Sequence, residues 1–222
     1  MTEKQAMMER HSVRSYLDKP IEQEKIDILN KCIEECNAES GLNIQLVTNE
    51  KKAFSSLLAR YGKFIGVANY FALVGNKNID DQVYGYYGER LVLKAQALGL
   101  NTCWVALTFK KIKKAFTVKK GEKLKLVISL GYGKTQGVQH KSKPLNDVCE
   151  FDGKTPAWFL EGVNCALNAP TAVNQQKFFF TEKDGVVTAK HGVGFYARLD
   201  LGIAKYHFEL GAGKENFKWS DK

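Results

Sequence analysis

The sequence is poor in arginine and proline, has no paired cysteines and contains no long apolar run. Only four prolines occur in 222 residues, too few for a polyproline or collagen-like chain. No apolar stretch approaches the ~20 residues that a membrane helix needs. Five cysteines (Cys32, Cys36, Cys103, Cys149 and Cys165) are an odd number without paired spacing. Reduced thiols fit that pattern better than a disulfide framework does. Cys32 and Cys36 stand at helical i, i+4, but no second Cys or His pair lies nearby at ligand spacing, so no metal site is expected. Residues 1–16 carry no apolar core of the kind a secretory leader has, and a cytoplasmic location is expected. Apolar residues at 44% and charged residues at 26% exclude a disordered chain. The length allows one large domain or two small intertwined ones.

Lys and Arg total 33 against 24 Asp and Glu, a net charge of +9, so nucleic acid is the first partner to weigh. The densest basic run is Lys110, Lys111, Lys113, Lys114, Lys119, Lys120, Lys123 and Lys125. Ile112, Ala115, Phe116, Val118 and Leu124 interleave it. It reads as a short helix, a turn at Lys120-Gly121-Glu122 and a strand with solvated edges. No RNA-binding strand motif or zinc finger accompanies it, so no nucleic-acid partner is expected. Arginine is more telling. Two of the five arginines fall in Arg10-His11-Ser12-Val13-Arg14, and a guanidinium fork suits phosphate where Lys acts as a point charge. The segment reads as a candidate anion site.

Periodicity predicts helices over 1–8, 21–36, 51–60, 85–98, 156–167 and 196–210. Apolar or alternating runs predict strands over 43–47, 67–74, 102–107, 124–130, 177–181 and 186–189, with Asp184-Gly185 as a hairpin turn. Gly99 reads as the cap that ends helix 85–98. Residues 135–144 have no periodicity and read as a loop or arm. Mixed elements throughout give an α+β fold.

Two segments are alike. Asn37-Ala38-Glu39-Ser40-Gly41-Leu42-Asn43-Ile44-Gln45 aligns with Asn168-Ala169-Pro170-Thr171-Ala172-Val173-Asn174-Gln175-Gln176, with identity at Asn, Ala, Asn and Gln. Each follows an amphipathic helix and precedes an apolar strand. A weaker match sets the helix of Gly85 against that of Gly202. The separation far exceeds a solenoid period and suggests two related halves in one chain.

Together these pieces resemble the FMN-dependent nitroreductase family, and most of all its shorter branch with two nitroreductase-like halves in one chain. Arg10-His11-Ser12-Val13-Arg14-Ser15-Tyr16 resembles the family's phosphate-binding Arg-x-Ser-x-Arg segment. Gly99-Leu100-Asn101-Thr102-Cys103-Trp104 resembles its Gly-Leu-Gly-Thr-Cys-Trp loop, with Asn101 in place of the second glycine. Ala169 to Gln176 resembles its Ala-Pro-Ser-Ala-x-Asn-x-Gln-Pro segment without the trailing proline. Gly131-Tyr132 followed by Lys141-Ser142-Lys143 is similar to its late basic pair. In ordinary members the Pro-Ser-Asn segment lies early, where this chain has Glu39 in place of the proline.

The resemblance implies a mixed, mainly antiparallel sheet flanked by helices, and an internal pseudo-dimer. Residues 1–150 would form one half carrying the phosphate site, and 151–222 a smaller half completing the flavin site. FMN would be the cofactor. Arg10, Ser12 and Arg14 would hold its phosphate with Lys141 and Lys143, and His11 would lie near the pyrimidine edge or ribityl chain. The amide of Gly85, read as opening its helix, would face N5, and backbone groups around Gly99, Leu100, Asn101 and Thr102 would face the N1/O2 edge. Pro170, Thr171 and Asn174 would contact ring and ribityl. No side chain is needed as acid, base or nucleophile. The implied activity is hydride transfer from NADH or NADPH through flavin to nitroaromatic, quinone or similar small acceptors. A non-catalytic FMN-binding module is the alternative. The expected assembly is a monomer that mimics a dimer, with further self-association open, and no membrane partner.

Overall fold

The computed structural model describes residues 1–220. The chain divides into two compact units. The first takes residue 1, 9–79 and 91–138, and the second takes 2–8, 80–90 and 139 onwards.

The first unit is built on a four-stranded antiparallel sheet. Its strands are β1 (Gln45–Val47), β2 (Asn69–Asn76), β3 (Asn101–Val105) and β4 (Glu122–Gly131), in the order β1-β2-β4-β3. The run Tyr70-Phe71-Ala72-Leu73-Val74 is buried on both faces, which is why it reads as continuous rather than alternating. One face, which includes Cys103 and Val127, packs against Val13, Tyr16, Phe54 and Phe64. Helix α2 (Gln23–Ser40) buries Leu29, Cys32, Ile33 and Cys36, the stripe expected at helical spacing. It runs a turn past the predicted end and stops at Gly41 in the left-handed region, whose N–H donates to Asn37 O.

The predicted helix over 51–60 is two pieces: a 3-10 turn at Lys52–Phe54 and α3 (Leu57–Tyr61). Ser56 separates them, its side chain accepting from Ala59 N as an N-cap. The predicted short helix in the lysine run does not form; the segment makes a turn bond from Ala115 N to Ile112 O instead. A helix there would set Lys110 beside Lys113 and Lys114, three and four residues on, and so crowd like charges onto one face.

The second unit holds α1 (Glu3–Glu9), α5 (Ala157–Ala166), α6 (Ala197–Ala212) and a small sheet. Glu9, the last residue of α1, belongs to the first unit. Strands β5 (Phe178–Lys183) and β6 (Val186–His191) form an antiparallel hairpin, and a two-residue strand β7 (Lys218–Trp219) pairs parallel to β6. The hairpin turn places Asp184 and Gly185 at φ 52° and 77°, the double positive φ of a type I′ turn. Phe180 stacks on Phe208 at 5.0 Å, and Phe208 meets Phe217 and Trp219 at 5.2 and 5.3 Å. Those contacts explain why so short a β7 is held.

Helix α4 (Asp81–Ala97) begins four residues before the predicted start. Asp80 caps it: its Oδ1 accepts from Gln82 N at 2.9 Å and from Arg198 Nε at 2.8 Å. Gly85 therefore lies inside the helix and does not open it. A Cβ at Gly85 would run into Leu199 O, and a Cβ at Gly202 would run into Gln82 O. Each glycine thus faces a carbonyl three residues before the other, a reciprocal crossing in which the two backbones touch. Nearby, buried His207 donates from Nδ1 towards Cys165 O at 3.3 Å and sets Nε2 2.9 Å from Glu89 Oε1.

Candidate flavin site

The Arg10–Arg14 segment lies along the start of β3. Ser12 bridges Thr102 in parallel, and Val13 N donates to Thr102 O at 3.0 Å. Arg10 is buried, whereas Arg14 is exposed and its guanidinium sits 5.9 Å from the Phe64 ring. Both guanidinium charges, and a hydrogen bond from Ser12, act on the Cys103 thiol. They favour its thiolate, but burial outweighs them and pushes the thiol pKa up. Arg10, Ser12 and Arg14 thus supply two cations and a hydroxyl within one five-residue segment. That donor set suits a phosphate monoester, which takes charge-assisted bonds of about 1.5–3 kcal/mol each.

The following loop closes on this segment. His11 donates from Nδ1 to Gln136 O at 3.2 Å. Asn101 accepts from Gly133 N at 2.9 Å and donates to Gln136 Oε1 at 3.0 Å. Gly137, at φ 76°, packs so tightly that a Cβ there would lie 2.7 Å from the His11 Cβ. Asn101, unusual against the resemblance, is thus a clamp for residues 133–136. Gly99 ends α4 at φ 76°, and Leu100 N donates to Ala95 O at 2.9 Å. The Leu100 amide is spent on the helix cap.

In the second unit, Lys141, Lys143, Thr171 and Asn174 come together. Asn174 Nδ2 and Gln176 Nε2 both donate to Lys141 O at 2.9 Å. Lys143 donates from its backbone to Gln176 Oε1 and from Nζ to Gln176 O at 3.1 Å. Thr171 Oγ1 accepts from Gln176 N at 3.0 Å. Pro170 is buried beneath. The loop is strained: Val173, Asn174 and Gln176 stand at φ 48°, 55° and 43°, and for a β-branched residue that is a true outlier. Val173 is nonetheless 97% exposed.

With Gln176, two further residues outside the predicted site hold this loop. Asp200, buried in the first turn of α6, accepts Ala172 N on both oxygens at 3.1 and 3.0 Å and Gln175 Nε2 at 2.7 Å. Gln175 also donates to Phe195 O at 2.8 Å. Burial pushes the Asp200 carboxyl up to about 6, against the pull of the donors from Gln175 and Ala172. The sequence carries a signal for it, because Asp200 falls on the apolar stripe of Ala197, Leu201 and Ala204. Gly85, by contrast, sits in a helix crossing.

A family model described as "Putative TM nitroreductase" matches residues 3–212. The chain belongs to this nitroreductase family. Oxidoreductase chemistry, as a class, follows from membership. Solved structures agree on the fold. A "putative nitroreductase" from Thermotoga maritima aligns with TM-score 0.69 and 23% identity over 95% of this chain and 83% of its own. A "putative nitroreductase in complex with FMN" from Desulfovibrio desulfuricans gives 0.52 and 19% over 66% and 94%. A "putative NADH dehydrogenase/NAD(P)H nitroreductase" from Bacteroides thetaiotaomicron gives 0.53 and 19% over 66% and 95%. No curated protein shows significant similarity to the chain. Among the described residues, no helix is long and apolar enough to cross a membrane.

Proposed function

We propose that this family member binds FMN and transfers hydride from NADH or NADPH to nitroaromatic, quinone or similar conjugated acceptors. The observation that carries the reading is the placing of the Arg10–Arg14 segment, with its two guanidinium groups and the Ser12 hydroxyl, along the start of β3, where Ser12 bridges Thr102. Bound FMN would supply the two-electron chemistry. The chain's own part is to bind and orient. Arg10 and Arg14 neutralise the phosphate, the Ser12 hydroxyl donates to it, and Asn101 and Thr102 fix the backbone beside it. His11, with its Nδ1–H turned to Gln136 O, leaves Nε2 for the flavin edge or ribityl chain. Within the second unit, Asp200 holds the loop that gathers Lys141, Lys143, Thr171 and Asn174. The FMN-complexed Desulfovibrio structure and the name of the Bacteroides one support this assignment.

The reciprocal crossing at Gly85 and Gly202 further supports the reading that the chain is an internal pseudo-dimer. The test is an absorbance spectrum with flavin-to-chain stoichiometry, followed by anaerobic stopped flow with NADH and NADPH. The expected result is a yellow protein with one FMN per chain, reduced by nicotinamide and reoxidised by a quinone in ping-pong fashion. A colourless protein that takes up no added FMN would overturn the proposal. FMN binding without any reduction would leave only a binding module.

A further inference from the structure

Two segments of the first unit, residues 52–66 and 106–118, share one surface. Lys110 N donates to Ala53 O at 2.8 Å, and the Phe109 ring stacks on Phe54 at 6.3 Å. Gly62, which ends α3, lies so close to Thr108 that a Cβ there would stand 2.5 Å from its Oγ1. Of the five residues of α3 only Ala59 is buried. Leu57, Leu58 and Tyr61 are 81%, 49% and 84% exposed, and Leu107, next to Thr108, is 71% exposed. Four large apolar side chains therefore stand in water on adjoining elements. Single exposed apolar residues are ordinary, but a group of them marks a surface that something covers.

Charge selects the occupant. The two segments hold seven Lys and Arg, all exposed, and no Asp or Glu. They account for most of the chain's net charge of +9. Among the described residues none of the seven makes an ion pair, so their charge is not compensated locally. A second copy of the chain would bring the same cations face to face, and the two would repel. Nucleic acid would meet the cations through its phosphates but offer the leucines no apolar partner. An anionic membrane surface satisfies both. Its headgroup boundary takes up aliphatic and aromatic side chains, and its negative potential favours each Lys or Arg close to it. Leu57, Tyr61 and Leu107 also project from the surface rather than line a groove, the shape that entry into lipid needs.

We propose that this face docks the chain peripherally on an anionic membrane surface, with Leu57, Tyr61 and Leu107 entering the headgroup boundary and the cations lying over the lipid anions. The chain then rests on the bilayer rather than crossing it, so the lack of a long apolar run in the sequence does not oppose the docking. None of the residues assigned to the flavin takes part. The test is co-sedimentation of the full chain with phosphatidylcholine vesicles containing about 30% phosphatidylserine. Saturable binding is expected, weaker by roughly tenfold or more on phosphatidylcholine alone or in about 0.5 M salt. Tyr61→Ser and Leu107→Ser, both at exposed side chains, should each lower affinity roughly fivefold without changing the unfolding midpoint. Lys113→Glu combined with Lys114→Glu should lower it roughly 10–100-fold. Lys183→Glu combined with Lys190→Glu makes the same change of net charge on the β5–β6 hairpin of the second unit, and should leave affinity within about twofold. No saturable binding to the mixed vesicles, affinity indifferent to Tyr61→Ser and Leu107→Ser, an equal loss from the two charge reversals, or tighter binding to duplex DNA than to the vesicles would each overturn the proposal.

Discussion

Asp200 offers the sharpest test of how the loop at 171–176 is held. Its carboxyl is 3% exposed and burial raises it from 3.8 to about 6. The folded state therefore binds this proton more tightly than the unfolded chain does. The sign follows: relative to the protonated form, stability declines as pH rises from about 4 to about 6 and then levels off. The full cost of the buried charge is about 3 kcal/mol at neutral pH, and about 1.3 kcal/mol of it develops between pH 5 and pH 7. In Asp200→Asn nothing titrates. The new amide can still accept from Ala172 N, but its NH2 opposes the NH2 of Gln175, which Phe195 O prevents from turning freely. The variant thus exchanges a charge cost for one lost hydrogen bond of about 1.5–3 kcal/mol.

The measurement is urea unfolding of both proteins at half-unit steps from pH 5 to pH 7.5. The stability of the Asn variant relative to the native chain should rise by about 1.3 kcal/mol from pH 5 to pH 7, equivalent to roughly 3–5 °C in apparent Tm for a chain of this length. A ¹³C titration of the Asp200 carboxyl should show a midpoint near 6. A stability difference that stays flat over this range, or a midpoint near 4, would refute the claim that burial dominates this group.

Gly85→Ala and Gly202→Ala each drive a methyl group into backbone of the opposing helix, so each should cost roughly 2–4 kcal/mol in urea unfolding; a loss below about 0.5 kcal/mol would contradict the close crossing. Arg14→Ala removes an exposed guanidinium and its contact with the Phe64 ring, and should weaken FMN binding by roughly 10–100-fold in a fluorescence titration while lowering stability by about 1 kcal/mol or less. Val173→Asn places a residue tolerant of positive φ where a β-branched one stands at 48°, and should stabilise the fold by about 1 kcal/mol. An unchanged or lower midpoint would show that the exposed valine is held there by a contact the chain alone lacks.

Much of the framework is legible because single periodicities run uninterrupted. Leu29, Cys32, Ile33 and Cys36 set out α2, the run 67–74 sets out β2, and Asp184-Gly185 sets out the hairpin. The failures share a cause. Polar side chains that cap or divide helices look, in sequence, like ordinary positions within or before them. Asp80 starts α4 ahead of Gly85, and Ser56 splits 51–60. In the lysine run, apolar spacing suggests a helix that like charges at i, i+4 oppose. Strand β7 is too short to leave a pattern, since its support is aromatic packing from distant residues. At the candidate site, the motif residues are visible as letters. Their use is not: Asn174 and Lys143 are occupied inside their own loop, and Gln175, Gln176 and Asp200 do the holding.

All five cysteines are buried thiols outside any disulfide, and burial pushes Cys149 and Cys165 up to about 11. Burial shields all five from a modifying reagent while the native structure is closed. Each thiol becomes labelled only when the structure around it opens. Cys32, Cys36 and Cys103 report on the first unit, and Cys149 and Cys165 on the second. The protein carries its own unfolding clock, with separate hands for its two parts, readable by mass spectrometry without any engineered probe.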